Sequence, residues 1–169
     1  MKIFCGTLFI FSILIAINSC DKVKSYSSVP QIGFVSYKLT ETVDALQNKV
    51  KSLVVNFNFV DGDGDLFDPD STDVTSPKGK LFLIFYQKKS GVFVQVPDSL
   101  LLTPPSFKLP YGDVMQREGQ DKTQKGTIQF SYPFYYPMPY DTIKVKFYVA
   151  DMAENHSDTL LIPDEIALK

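Results

Sequence analysis

Asp61, Asp63 and Asp65 stand at alternate positions in the run Asp61-Gly62-Asp63-Gly64-Asp65-Leu66-Phe67-Asp68-Pro69-Asp70, with a glycine in each gap. Glycine lets a backbone curl tightly, so carboxylates spaced this way can turn their oxygens onto one hard cation. Calcium, which takes six to eight oxygen ligands, suits such a set. Without a cation, like charges this close repel one another. The loop therefore either holds a metal or splays into solvent, and both readings are open. It is not an EF-hand, because Leu66 occupies the position that needs glycine and Thr72 the position of the bidentate glutamate.

Two further constellations carry polar or aromatic chemistry. In Asp151-Met152-Ala153-Glu154-Asn155-His156-Ser157, Asp151 and Asn155 are either additional oxygen ligands for the same cation or turn residues bonding their own backbone. His156 is the only histidine, and although Ser157 and Asp158 follow it, a nucleophile, its base and an orienting acid must converge in space, which immediate neighbours on a turn rarely do. The expectation is therefore a protein that is not an enzyme. Zinc sites of the usual kind need several His or Cys ligands that the chain does not supply, and carboxylate pairs keep a hydrolase only as a remote alternative. In Tyr132-Pro133-Phe134-Tyr135-Tyr136-Pro137-Met138-Pro139-Tyr140, Tyr135, Tyr136 and Tyr140 could form a stiff platform for a sugar or a partner protein. The alternative reading sends Tyr132, Phe134 and Tyr136 into a core while the prolines protect a sheet edge.

The elements that must position these groups are strands. Leu53, Val55, Phe57 and Phe59 alternate with Ser52, Val54, Asn56 and Asn58, and Ile143, Val145, Phe147 and Val149 alternate with Lys144, Lys146 and Tyr148, which is the period of a half-buried strand. Strands are also predicted near 32–38, 81–86, 92–96, 127–132 and 159–162, with Lys88-Lys89-Ser90-Gly91 as a hairpin turn. The stretch 97–126 lacks periodicity and reads as a long connection or short edge strand. No helical period emerges beyond the first segment. About seven short strands predict an all-β, antiparallel, immunoglobulin-like sandwich over residues 31–169. In such a sandwich the loops after the second and sixth strands share one end, which would bring Asp61, Asp63 and Asp65 towards Asp151 and Asn155.

Composition agrees with one globular domain. Of 169 residues, 44 % are hydrophobic and 21 % charged, outside the range of disordered chains, and the net charge of −2 signals no nucleic-acid partner. Lys2 and the apolar run Ile3 to Ile17 have the shape of a secretory signal, too short for the roughly twenty residues of a membrane span. Ile17-Asn18-Ser19-Cys20 is similar to a bacterial lipobox. The expectation is cleavage after residue 19 and lipid on Cys20, with residues 20–30 (Cys20 to Pro30) as a polar tether. An ordinary signal cut near Ser19 is the alternative. With Cys5 discarded and Cys20 acylated, no disulfide remains, so the domain must be held by core burial, which a chain of roughly 150 residues achieves.

Phe57-Asn58-Phe59-Val60-Asp61-Gly62-Asp63-Gly64-Asp65-Leu66, taken with Phe147-Tyr148-Val149-Ala150-Asp151-Met152-Ala153-Glu154-Asn155-His156-Ser157, resembles the single immunoglobulin-like or cadherin-like domains of Bacteroidetes-type lipoproteins. Phe67 and Glu154 stand where that family usually has glycine. The resemblance implies a β-sandwich; the family's molecular role is largely unassigned. Together these readings predict a lipid-anchored, extracytoplasmic binding or assembly module of the cell envelope, on the outer membrane with its side left open, rigidified by structural calcium. Its partner would be an envelope protein or a glycan. A carbohydrate- or small-ligand-binding lipoprotein using residues 132–140 is the rival.

Overall fold

The computed structural model describes residues 25–67, 78–109 and 122–169. The expected signal peptide and Cys20 lie outside them, as do 68–77 and 110–121. Nine strands occur among the described residues: β1 (Gln31–Val43), β2 (Lys49–Asp61), β3 (Lys80–Lys89), β4 (Val92–Gln95), β5 (Ser106–Lys108), β6 (Gln124–Tyr135), β7 (Thr142–Ala150), β8 (Leu160–Leu161) and β9 (Ile166–Ala167). They form two antiparallel sheets, one ordered β1-β2-β6 and the other β4-β3-β7-β8, with β5 added to β3 and β9 to β7. The fold is the expected all-β sandwich, with nine strands among the described residues where about seven short ones were expected; β1, β2, β3, β6 and β7 are longer than the periodicity marks.

Alternation in β2 and β7 has the consequence read from the sequence. Leu53, Val55, Phe57 and Phe59 face inward from β2 and meet Ile143, Val145, Phe147 and Val149 from β7, all essentially removed from water. Rings cross between the sheets: Phe57 lies 5.3 Å from Phe147, and Phe85 of β3 lies 4.7 Å from Tyr132 of β6. Such aromatic pairs contribute about 0.5–1.5 kcal/mol beyond area burial. The Tyr132 hydroxyl donates to the Thr103 carbonyl at 2.8 Å, so its polar end is satisfied.

The outer faces differ. On the three-stranded sheet Thr127 donates to Asn58 at 2.8 Å and Gln129 to Asn56 at 2.9 Å, forming cross-strand polar rungs. On the other sheet Phe82 stacks on Tyr148, and lysine heads lie over rings, Lys144 at 4.6 Å from Phe93 and Lys146 at 5.2 Å from Tyr86. Those stems cover aromatic surface while their charges stay wet.

Register fixes which loops share an end. Gln31 pairs with Val60, Asp61 with Gln124, and Lys80 with Ala150, so the β2–β3 and β7–β8 loops and the chain entering β1 lie together. Val43, Lys49 and Tyr135 lie at the other end. Thirteen residues of β1 separate the two ends by about 40 Å at the usual strand rise.

Candidate metal centre

Asp61 is the last residue of β2 and continues the inward set of Phe57 and Phe59. Its carboxylate is therefore carried into the top of the core, with no exposed surface. One oxygen, Oδ2, accepts the Leu66 amide at 2.9 Å; the other, Oδ1, is buried without a hydrogen-bond partner. Asp65 Oδ1 is likewise buried and without a partner. A buried oxygen left unpaired is costly, and two in one loop call for a ligand.

The loop is built to hold them. Gly64 has φ of 73°, a backbone state that L side chains resist, and a Cβ there would overlap the Lys122 carbonyl. Leu66 and Phe67 then plug into the core, with Phe67 edge-on to Phe59 at 5.3 Å.

One oxygen from each of Asp61, Asp63 and Asp65 lies within 4.8 Å of the other two. Oxygens on opposite sides of one calcium are about 4.6–5.2 Å apart, given bond lengths of 2.3–2.6 Å, so the spread fits ligands of a single ion. Asp63 is exposed and opens the cluster to water, which can complete the coordination shell. The electrostatics agree. Burial, with Asp63 and Asp65 adding their charges, raises the Asp61 carboxyl to about 7; burial, with Asp151 and Asp63, raises that of Asp65 to about 6. Both groups resist bearing charge without a countercharge.

The two loops meet as expected: the Met152 amide donates to the Asp65 carbonyl at 3.0 Å. The roles within the second loop are divided. Asp151 is fully buried and its charge acts on Asp65, but its two oxygens accept the Asn155 amide at 2.8 Å and the Asn155 side chain at 2.9 Å. Asp151 and Asn155 therefore close their own turn, placed against the acidic cluster. Glu154 holds φ of 67° there, in the left-handed region that L side chains seldom adopt.

The His156 ring packs tilted against Tyr148, centroids 5.3 Å apart, while the Ser157 hydroxyl accepts the Val149 amide and donates to the Asp158 carbonyl. Histidine and serine are thus committed to separate neighbours.

At the far end, Tyr132 and Phe134 are buried, as the core reading of 132–140 expects. Tyr136 departs from it: β6 ends at Tyr135, and Tyr136 is 47 % exposed, its hydroxyl donating to Glu41 at 3.1 Å. It borders an open cleft with Val43, Lys49 and Val50, whereas Tyr135 and Tyr140 border a separate small depression with Leu100 to Leu102. The three tyrosines do not form one platform.

Sequence reasoning missed three participants at the acidic end. Gln124 is buried directly across from Asp61, Lys122 presents its carbonyl to Gly64, and Ser27 accepts the Gly62 amide at 2.8 Å. Residues at the start of β6 or just ahead of it, and before β1, carry no local pattern that announces a distant loop, so only the strand register brings them in. No family model, no curated protein and no solved structure matches this chain.

Proposed function

We propose that the chain is a lipid-anchored extracytoplasmic binding or assembly module of the cell envelope, stiffened at one end by a calcium ion held by Asp61, Asp63 and Asp65. The supporting observation is the Asp61 carboxylate, wholly buried, with an unpartnered oxygen within reach of two more carboxylates. A hard, oxygen-seeking cation answers each of these features at once. Binding in place of catalysis accords with the commitment of His156 and Ser157 to other contacts. The Bacteroidetes-type lipoprotein assignment and the lipid on Cys20 rest on the sequence motifs alone.

Calorimetric titration of the full chain in detergent tests the metal reading. Calcium is expected to bind at one site per chain, magnesium more weakly because it demands a tighter octahedral set, and Asp63→Ala to abolish the heat. Silence up to millimolar calcium would remove the proposal.

A second reading, ligand binding at the far end, is favoured by one observation. The exposed ring of Tyr136 borders a cleft of roughly 350 Å³ lined by Glu41, Thr42, Val43, Lys49 and Val50. Oligosaccharide binding that weakens in Tyr136→Ala but not in Tyr140→Ala would support it.

A further inference from the structure

The chain that enters the sandwich from the tether side touches the acidic loop directly. Gly62, lying between Asp61 and Asp63, donates its amide to the Ser27 carbonyl at 2.8 Å. A Cβ on Gly62 would overlap the carbonyl oxygens of both Tyr26 and Ser27, so the two backbones are packed against each other with no room for a side chain. Residues 25 to 29 are exposed, and only Pro30, next to the first paired residue, is buried. Tyr26 and Val29 are 36 % and 42 % exposed, the Val29 amide donates locally to the Ser27 hydroxyl, and a cleft of roughly 520 Å³ runs alongside Ser27, Val29 and Pro30 towards Asp158. Strand pairing begins only at Gln31, which faces Val60.

We propose that occupancy of the acidic loop by calcium latches the Tyr26–Ser27 segment onto the sandwich, so that the metal sets where the tether leaves the domain. This rests on the calcium reading, which itself stands on the buried, unpartnered Asp61 oxygen and not on the acids alone. The physical link is short. Gly62 sits between Asp61 and Asp63, so the same backbone that gathers their carboxylates also aims its amide at Ser27, and like charges oppose that gathering until a cation joins them. Coupling of this kind is reciprocal: the metal tightens the segment, and the docked segment strengthens metal binding. A sandwich on a lipidated tether would then stand at a fixed angle to its membrane when calcium is present and pivot about the tether when it is not.

Hydrogen exchange read by mass spectrometry on the full chain in detergent tests the latch, with calorimetry on the same sample reporting calcium binding. If release of the segment requires release of the metal, exchange of residues 25–30 and of Gly62 slows with added calcium, by up to about 100-fold at 100 times the dissociation constant. The β3–β4 hairpin at the opposite end, residues 86–95, serves as the reference and is expected to change far less. In Gly62→Ala, which displaces the segment but keeps all three carboxylates, calcium still binds, while exchange at 25–30 stays fast with or without it. Calcium binding to the wild-type chain with no change at 25–30 would overturn the latch and leave the metal site standing. Failure of calcium to bind the wild-type chain would overturn both.

Discussion

Asp61 pays a desolvation penalty that its neighbours increase, and its protonation should therefore govern stability in the absence of metal. The sign follows from its direction of shift. Burial and the nearby acids raise its carboxyl, and that of Asp65, above the ordinary carboxylate value near 4. A folded-state value above the unfolded one means that the favourable contribution is complete below about pH 4 and disappears as pH climbs through about 6 to 7. In EDTA, then, this pair favours pH 5 over pH 8, and calcium reverses the preference because it binds the carboxylate form. Asp61→Asn isolates the effect: its side-chain oxygen can still accept the Leu66 amide, but it carries no charge. Denaturant melts in EDTA at pH 8 are expected to show this variant more stable than wild type by about 1–3 kcal/mol, with its advantage shrinking towards pH 5. An Asn variant that is less stable than wild type in EDTA at pH 8 would show that Asp61 is content as a bare carboxylate.

Strands were legible where one face is dry and the other wet. The β2 and β7 alternations state their inward residues outright, and the Ser90–Gly91 turn, with φ of 50° and 84°, joins β3 to β4 as the sequence implied. What was not legible is strand that buries little. The second half of β1, Thr40 to Val43, is mostly exposed and has no alternation to read; it is set by pairing with Lys49 to Ser52 across a turn in which Asp44 accepts the Leu46 and Asn48 amides. The two-residue β9 was missed for a different reason: Ile166 is buried, but two residues are too few to show a period, and the pairing with β7 follows from chain return. Legibility of the site was similar: the three alternating aspartates could be picked out locally, whereas their burial depends on β2 carrying Asp61 inward. The aromatic segment shows the difference at element level. Phe134 sits within β6 against Phe85 and Tyr132, but Tyr136 has left the strand. Phe134→Ala is expected to cost about 3–5 kcal/mol, Tyr136→Ala within about 0.5 kcal/mol of nothing. Chemical denaturation of both variants checks this, and equal losses would mean that Tyr136 is a core residue after all.

The whole molecule has two unlike ends. At one, where the chain enters β1, buried carboxylates, the Tyr26–Ser27 backbone and the Asp151–Asn155 turn are bound together by the hydrogen bonds from Gly62 to Ser27 and from Met152 to Asp65. At the other, about 40 Å away along β1, Val43, Leu46, Tyr136 and the half-buried Tyr135 lie near the end of the sheet, and Leu100 and Leu102 are 63 % and 80 % exposed beside the β6 terminus. Under the proposed function, such a module would hold its partner at a set distance from the membrane. That proposal depends first on whether the acidic end takes calcium. Thermal melting of the full chain in detergent, in excess EDTA and then with calcium at about 100 times its dissociation constant, measures this most directly. Stabilisation of about 2.7 kcal/mol is expected, a rise of roughly 5–10 °C for a domain of this size, and its loss in Asp63→Ala, whose exposed side chain carries no packing. An unchanged melting temperature, or an equal rise in Asp63→Ala, would contradict the calcium site.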